Sequence, residues 1–140
     1  MADTFSLISS TTLSNTSSAV TFSSIPQNFT DLFLSASVRS DSVGTTIHDF
    51  TYRLNGLSTS VYSKTQLTGS GSGGGTGYRQ TTTKFAVENS MPGASATANT
   101  FGAIEVYIPS YTATQNKTIG HFGVSENNAT LAVVNAMAGY

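Results

Sequence analysis

The chain has no cysteine, no tryptophan and only three prolines in 140 residues. Without cysteine there is no disulfide framework, no thiolate metal site and no cysteine nucleophile. Charge is almost as scarce. Charged residues are 9% of the chain, against about 25% in ordinary soluble domains, and six Lys/Arg with seven Asp/Glu leave a net charge of −1. Six scattered cations give no footprint for a phosphate backbone, so no nucleic acid is expected as a partner. No apolar run approaches the ~18 residues of a membrane helix, so no membrane is expected either. The opening residues, Met1-Ala2-Asp3-Thr4-Phe5, lack the basic and apolar regions of a secretory signal, and synthesis in a cytoplasm is the expectation.

What the chain does have is hydroxyl groups. Ser and Thr supply roughly 30% of it, and Leu, Ile, Val and Phe roughly 22%. That apolar share, with low net charge, suits a folded chain. Thr is β-branched and fits the solvent face of a pleated sheet.

Helical periodicity is nearly absent, while strand alternation recurs. Over 32–40, Leu32, Leu34, Ala36 and Val38 share one face; Ser35, Ser37 and Arg39 share the other. Over 47–55, Phe50, Tyr52 and Leu54 alternate with Asp49, Thr51 and Arg53. Over 101–108, Ile104, Val106 and Ile108 oppose Phe101, Ala103, Glu105 and Tyr107. Phe122 pairs with Val124 over 118–125, and Leu131 with Val133 over 130–138. Weaker strands are expected at 4–8, 11–14, 19–24, 60–67 and 79–88. Turn residues separate them: Ile25-Pro26-Gln27-Asn28, Asn55-Gly56, Met91-Pro92-Gly93, Ile108-Pro109-Ser110 and Glu126-Asn127-Asn128. The pattern predicts an all-β fold: one antiparallel β-sandwich domain over residues 1–140, jelly-roll-like, with eight to ten strands. The expected core is Phe22, Leu32, Leu34, Val38, Phe50, Leu54, Ile104, Val106, Ile108, Phe122, Leu131 and Val133.

No motif specifies chemistry. Gly69, Gly71 and Gly74 fit G-x-G-x-x-G, but a strand-like Tyr78-Arg79-Gln80-Thr81 follows where a phosphate-binding loop needs a helix. An exposed, mobile surface loop at 69–77 is expected. His48 and His121 are the only histidines and lack metal-ligand spacing. The seven acids (Asp3, Asp31, Asp41, Asp49, Glu88, Glu105 and Glu126) are dispersed, with no calcium loop. No G-x-S-x-G elbow is present. No catalytic residue, metal site or cofactor is therefore assigned. The tyrosines Tyr52, Tyr62, Tyr78, Tyr107 and Tyr111 could stack on sugar rings, but core packing with the hydroxyl at the rim is the simpler expectation.

The segment Val20-Thr21-Phe22-Ser23-Ser24-Ile25-Pro26-Gln27-Asn28-Phe29-Thr30-Asp31-Leu32 resembles a pattern V-T-F-S-S-I-P-x-x-[FY]-T-x-L. That pattern is shared by small Ser/Thr-rich virion structural proteins of tailed bacteriophages, of the marine and cyanobacterial type, which the chain resembles. The likeness continues through Ala36-Ser37-Val38-Arg39-Ser40, Tyr52-Arg53-Leu54-Asn55-Gly56, Tyr62-Ser63, the Gly-rich loop, Phe101-Gly102, Ile108-Pro109-Ser110-Tyr111 and Asn116-Lys117-Thr118. These are structural residues, so the resemblance implies a fold and a virion context rather than a reaction. Relatives continue with another strand or two beyond the segment matching Ala132-Val133-Val134-Asn135, whereas this chain stops at Tyr140, so the expectation is either a shortened member or a chain with a further C-terminal part.

The resemblance implies a non-enzymatic virion protein, most simply a capsid decoration (cement or knob) protein on the outer head surface. The alternative is a tail-fibre or appendage module that binds host glycans. The implied partner is the major capsid protein or another virion protein. A homo-oligomer is expected, with a trimer favoured because accessory proteins match the local symmetry of their docking site. The N-terminal residues Phe5, Leu7 and Ile8 are the expected partner-binding residues, since an unpaired strand can extend a partner's sheet. The competing reading makes them a first strand within the sandwich.

Overall fold

The computed structural model describes residues 5–71, 73–127 and 132–140. They form eight strands and no helix. The strands are β1 (Leu32–Val38), β2 (Ile47–Tyr52), β3 (Tyr62–Gly69), β4 (Thr76–Thr82), β5 (Phe85–Pro92), β6 (Gly102–Ile108), β7 (Ile119–Glu126) and β8 (Ala132–Gly139). All pairings are antiparallel. One sheet has six strands in the order β1-β6-β7-β8-β3-β4; the other is the pair β2-β5. β5 lies across β6, β7 and β8. The fold is thus an all-β antiparallel sandwich. Its six-plus-two division does not by itself establish the jelly-roll winding.

The strongest alternations behave as expected. Ile104, Val106 and Ile108 on β6 are buried, and Leu32, Leu34, Ala36 and Val38 on β1 pack against them. Phe50 and Leu54 pack on the same cluster, and Val133 is buried. The centre also takes Tyr62, Phe85, Val87, Ile119 and Met137, which alternation did not single out. Asn55 and Gly56 both have positive φ, at 52° and 67°, which is why this pair makes the bend. Tyr62 pins that bend: its hydroxyl accepts from Leu54 N at 3.0 Å and donates to Leu57 O at 3.0 Å. Between β2 and β5 the register shifts near His48 and Phe50. There Asn89 has φ 54°, Asp49 accepts its N–H at 3.0 Å, and Ser90 accepts the Phe50 N–H at 3.1 Å. A β-bulge needs such partners for the ladder bonds it breaks.

Several expectations are corrected. Residues 5–8, 11–14 and 19–24 form no strand, although their composition favours one. β-propensity requires a neighbouring strand to be realised, and no edge in the chain receives them. Phe22 is therefore exposed rather than core. The stretch 79–88 is two strands, because the chain crosses from one sheet to the other at Thr83-Lys84. Phe122 is 45% exposed: β7 turns Ile119, His121, Gly123 and Ser125 inward instead. Leu131 and the 128–131 part of the β7–β8 tip lie outside the described residues.

Candidate interaction surface

The first 27 described residues, 5–31, form an arm. Among the described residues, no backbone-to-backbone hydrogen bond involves 5–24. Phe5 and Leu7 are 77% and 81% exposed, and Ile8, Leu13, Val20 and Phe22 also face solvent. The arm is fastened at its base. Asp31 accepts from the Tyr107 hydroxyl at 2.7 Å and from Ser110 N–H at 2.8 Å, and Tyr111 donates its hydroxyl to Pro26 O. These bonds to the ionised form, with Tyr107 the larger influence, hold the Asp31 carboxyl below its ordinary range. At the far end Phe5 meets Phe33 of β1 at a ring separation of 6.1 Å. The three residues expected to bind a partner thus lie together on a tethered, uncharged segment. They are not the first strand of the sandwich.

The second feature is the outer face of the six-stranded sheet. On β7 it presents Gly120, Phe122 and Val124; on β8, Ala132, Val134, Ala136 and Ala138. On β3 it presents Leu67, 62% exposed. Leu67 pairs with Ala136, and Ala136 with Phe122, so these residues share one line across the strands. A shallow depression of about 380 Å³ opens beside it, lined by Leu67, Gly75, Gly77, Val134 and Ala136 among others. Charge is confined to the borders: Glu105 on β6, Arg79 on β4 and Glu126 at the end of β7.

The interior beneath this face is partly polar. Lys64 is buried and donates to the Tyr78 hydroxyl at 3.1 Å and to Ala86 O, with the Glu88 carboxylate at 3.5 Å. Gln66 donates to Asn135 Oδ1 at 3.0 Å. His121 is stacked on Tyr52, ring centroids 5.8 Å apart, and among the described residues neither of its nitrogens has a hydrogen-bond partner. Burial, helped by nearby Lys64, pushes its pKa down to about 4. Burial likewise raises the Tyr52 phenol, with Tyr62 adding to the shift. An ammonium that spends its donors on protein oxygens braces the sheets; it is not presented to a substrate.

His48 lies on β2, where its Nδ1 accepts the Asp49 N–H at 3.0 Å, whereas His121 lies on β7. Among the described residues, no three His, Cys, Asp or Glu side chains are grouped to hold a metal ion. The Gly-rich stretch joins β3 to β4, and Gly71, Gly73, Gly74 and Gly75 are exposed, with a strand following instead of a helix. The five tyrosines are spread over the fold. Tyr62 and Tyr52 lie between the sheets, Tyr78 joins the Lys64 network, and Tyr107 and Tyr111 hold the arm. They form no single platform. The inward turn of β7 and β8 and the depression had no plain sequence signature; the uninterrupted small and apolar series Ala132, Val134, Ala136, Ala138 was the one available clue. No family model matches the chain, and neither does any curated protein or solved structure.

Proposed function

We propose that this is a non-enzymatic structural protein of a bacteriophage virion that decorates the outer surface of the head. The resemblance of most of the chain to phage virion proteins supports the virion context. The observation that carries the docking role is the arm, whose Phe5, Leu7 and Ile8 face solvent at the end of an uncharged segment. An extended apolar segment with open backbone groups is suited to add to a strand edge of a partner, with the major capsid protein as the proposed one. A subunit bound only to the assembled shell opposes disassembly by mass action. Contacts made by hydroxyl and apolar groups, in a chain of thirteen charges, are little weakened by salt.

Deletion of the gene from its phage tests this. Particles should assemble and package DNA, then lose infectivity at lower temperature or milder osmotic shock than wild type. Removing residues 1–24 alone should reproduce that loss and leave the protein in the supernatant of purified particles. If the deletion instead abolishes adsorption to the host while heads stay as robust, the protein is an appendage that binds a receptor.

A further inference from the structure

We propose that two copies of this chain pair face to face through the outer surface of β7, β8 and β3, about a two-fold axis running along β8. The inference rests on the preceding reading only in treating the chain as an assembly protein. Its starting point is the outer side of the β7–β8 hairpin. The hairpin buries His121, Ser125 and Asn135 beside Ile119, Val133 and Met137, yet still turns Phe122, Val134 and Ala136 to solvent. Shifting a strand by one residue would exchange the two faces, so an outward apolar set that persists across three strands marks a surface made to be covered.

The arrangement of that surface selects a second copy as its cover. β8 is the middle of the five strands β6-β7-β8-β3-β4. A two-fold axis along β8 therefore lays β7 of one copy on β3 of the other, and β6 on β4. Leu67 and Phe122 lie on the same line across the sheet, each one strand from β8, so each meets the other residue type on the partner. Phe122 then enters the depression beside Leu67, where Gly75 and Gly77 leave the room. On the axis itself stand only Ala132, Val134, Ala136 and Ala138, small enough for two sheets to approach to about 10 Å. At the borders, Arg79 on β4 faces Glu105 on β6 of the partner, twice. Their positions are offset by two residues along the strand, about 7 Å, within the span of two long side chains.

The size is sufficient. Five strands of about seven residues cover roughly 24 Å by 24 Å, so both faces together bury roughly 1,150 Å², above the ~1,000 Å² that a specific interface has to clear. Pairing leaves the arm free. β1, which Phe5 touches, lies outside the five matched strands, so the arm remains available to a shell. The unit is then a pair rather than the trimer expected from shell symmetry.

Analytical ultracentrifugation of the isolated chain tests the proposal. Wild type should sediment as two copies at micromolar concentration. Arg79→Glu and Glu105→Arg should each raise the half-dissociation concentration about ten-fold, and the double variant should restore it, because both residues are exposed and the reversed charges again meet. Val134→Lys should raise it about a hundred-fold or more while circular dichroism keeps its β signature. A wild-type monomer, a trimer, or a double variant weaker than either single one overturns the pairing. If Val134→Lys does not fold, the charge-reversal set decides alone. A monomer here would leave the gene-deletion outcome untouched. Robust heads in the deletion would end the decoration reading with the pair intact.

Discussion

Arg39 is the residue through which a loop is organised. Its Nη1 donates to Thr97 O at 2.8 Å and to Thr100 O at 3.0 Å, and its Nη2 to Ala96 O at 2.8 Å. A planar guanidinium can serve several carbonyls at fixed angles, whereas an ammonium is a single point. Arg39→Ala should lower unfolding free energy by about 1–2 kcal/mol, read from the urea midpoint, with faster amide exchange over 94–100. Arg39→Lys should recover only part of it; an unchanged midpoint in both would contradict the role. His121 sets a pH dependence. In the unfolded chain it takes up a proton near 6.5, but in the fold only near 4. The unfolded state therefore binds more protons between those values. Stability is complete above pH 6.5 and falls as pH drops towards 4, by up to about 1.4 kcal/mol per pH unit. His121→Leu should flatten the slope in that window, and Asp31, held below its ordinary range, should add its own loss at lower pH. An equal slope in His121→Leu would mean that another group titrates there.

At the scale of elements, two glycines measure how tightly the sheets close. A Cβ on Gly139 would meet the Phe85 ring at 2.3 Å and Ser63 O at 2.9 Å, and Phe85 is wholly buried and cannot swing away. A Cβ on Gly120, on the outer face of β7, would meet nothing within 4 Å. Measured by urea denaturation at a concentration where the copies are unpaired, Gly139→Ala should cost about 1–3 kcal/mol and Gly120→Ala less than about 0.5 kcal/mol; equal effects would contradict this packing. The same elements show what alternation could and could not reveal. β1 and β6 were legible because their apolar residues all face the core. The facing of β7 and β8 was not, because their inner residues mix apolar Ile119, Val133 and Met137 with polar His121, Ser125 and Asn135, and the polar ones gain neighbours, such as Gln66 for Asn135 and Tyr52 for His121, from strands far away in sequence. The arm has the composition of a strand without an edge to join, a fact that no local pattern contains. The sheet crossing at Thr83-Lys84 carries no Gly or Pro to mark it.

At the scale of the whole molecule, the proposed role rests on how the two sheets are joined and on which residues stay outside. Lys64 of β3 ties the six-stranded sheet to Ala86 O and Glu88 of β5, and the exposed apolar residues include those of the arm and of the face of β7, β8 and β3. Of these, Phe5, Leu7 and Ile8 were legible in the sequence as a terminal apolar segment, while the sheet face was not, because it depends on which side of β7 and β8 turns inward. In the proposed account one of these surfaces takes a partner and the other a second copy of the chain. The most direct measurement of this account is a cryo-EM map of intact particles of the phage. It should show eight-stranded densities on the outer surface of the head, each with its N-terminal arm running into the shell. Densities confined to the tail, or particles with none at all, would contradict it.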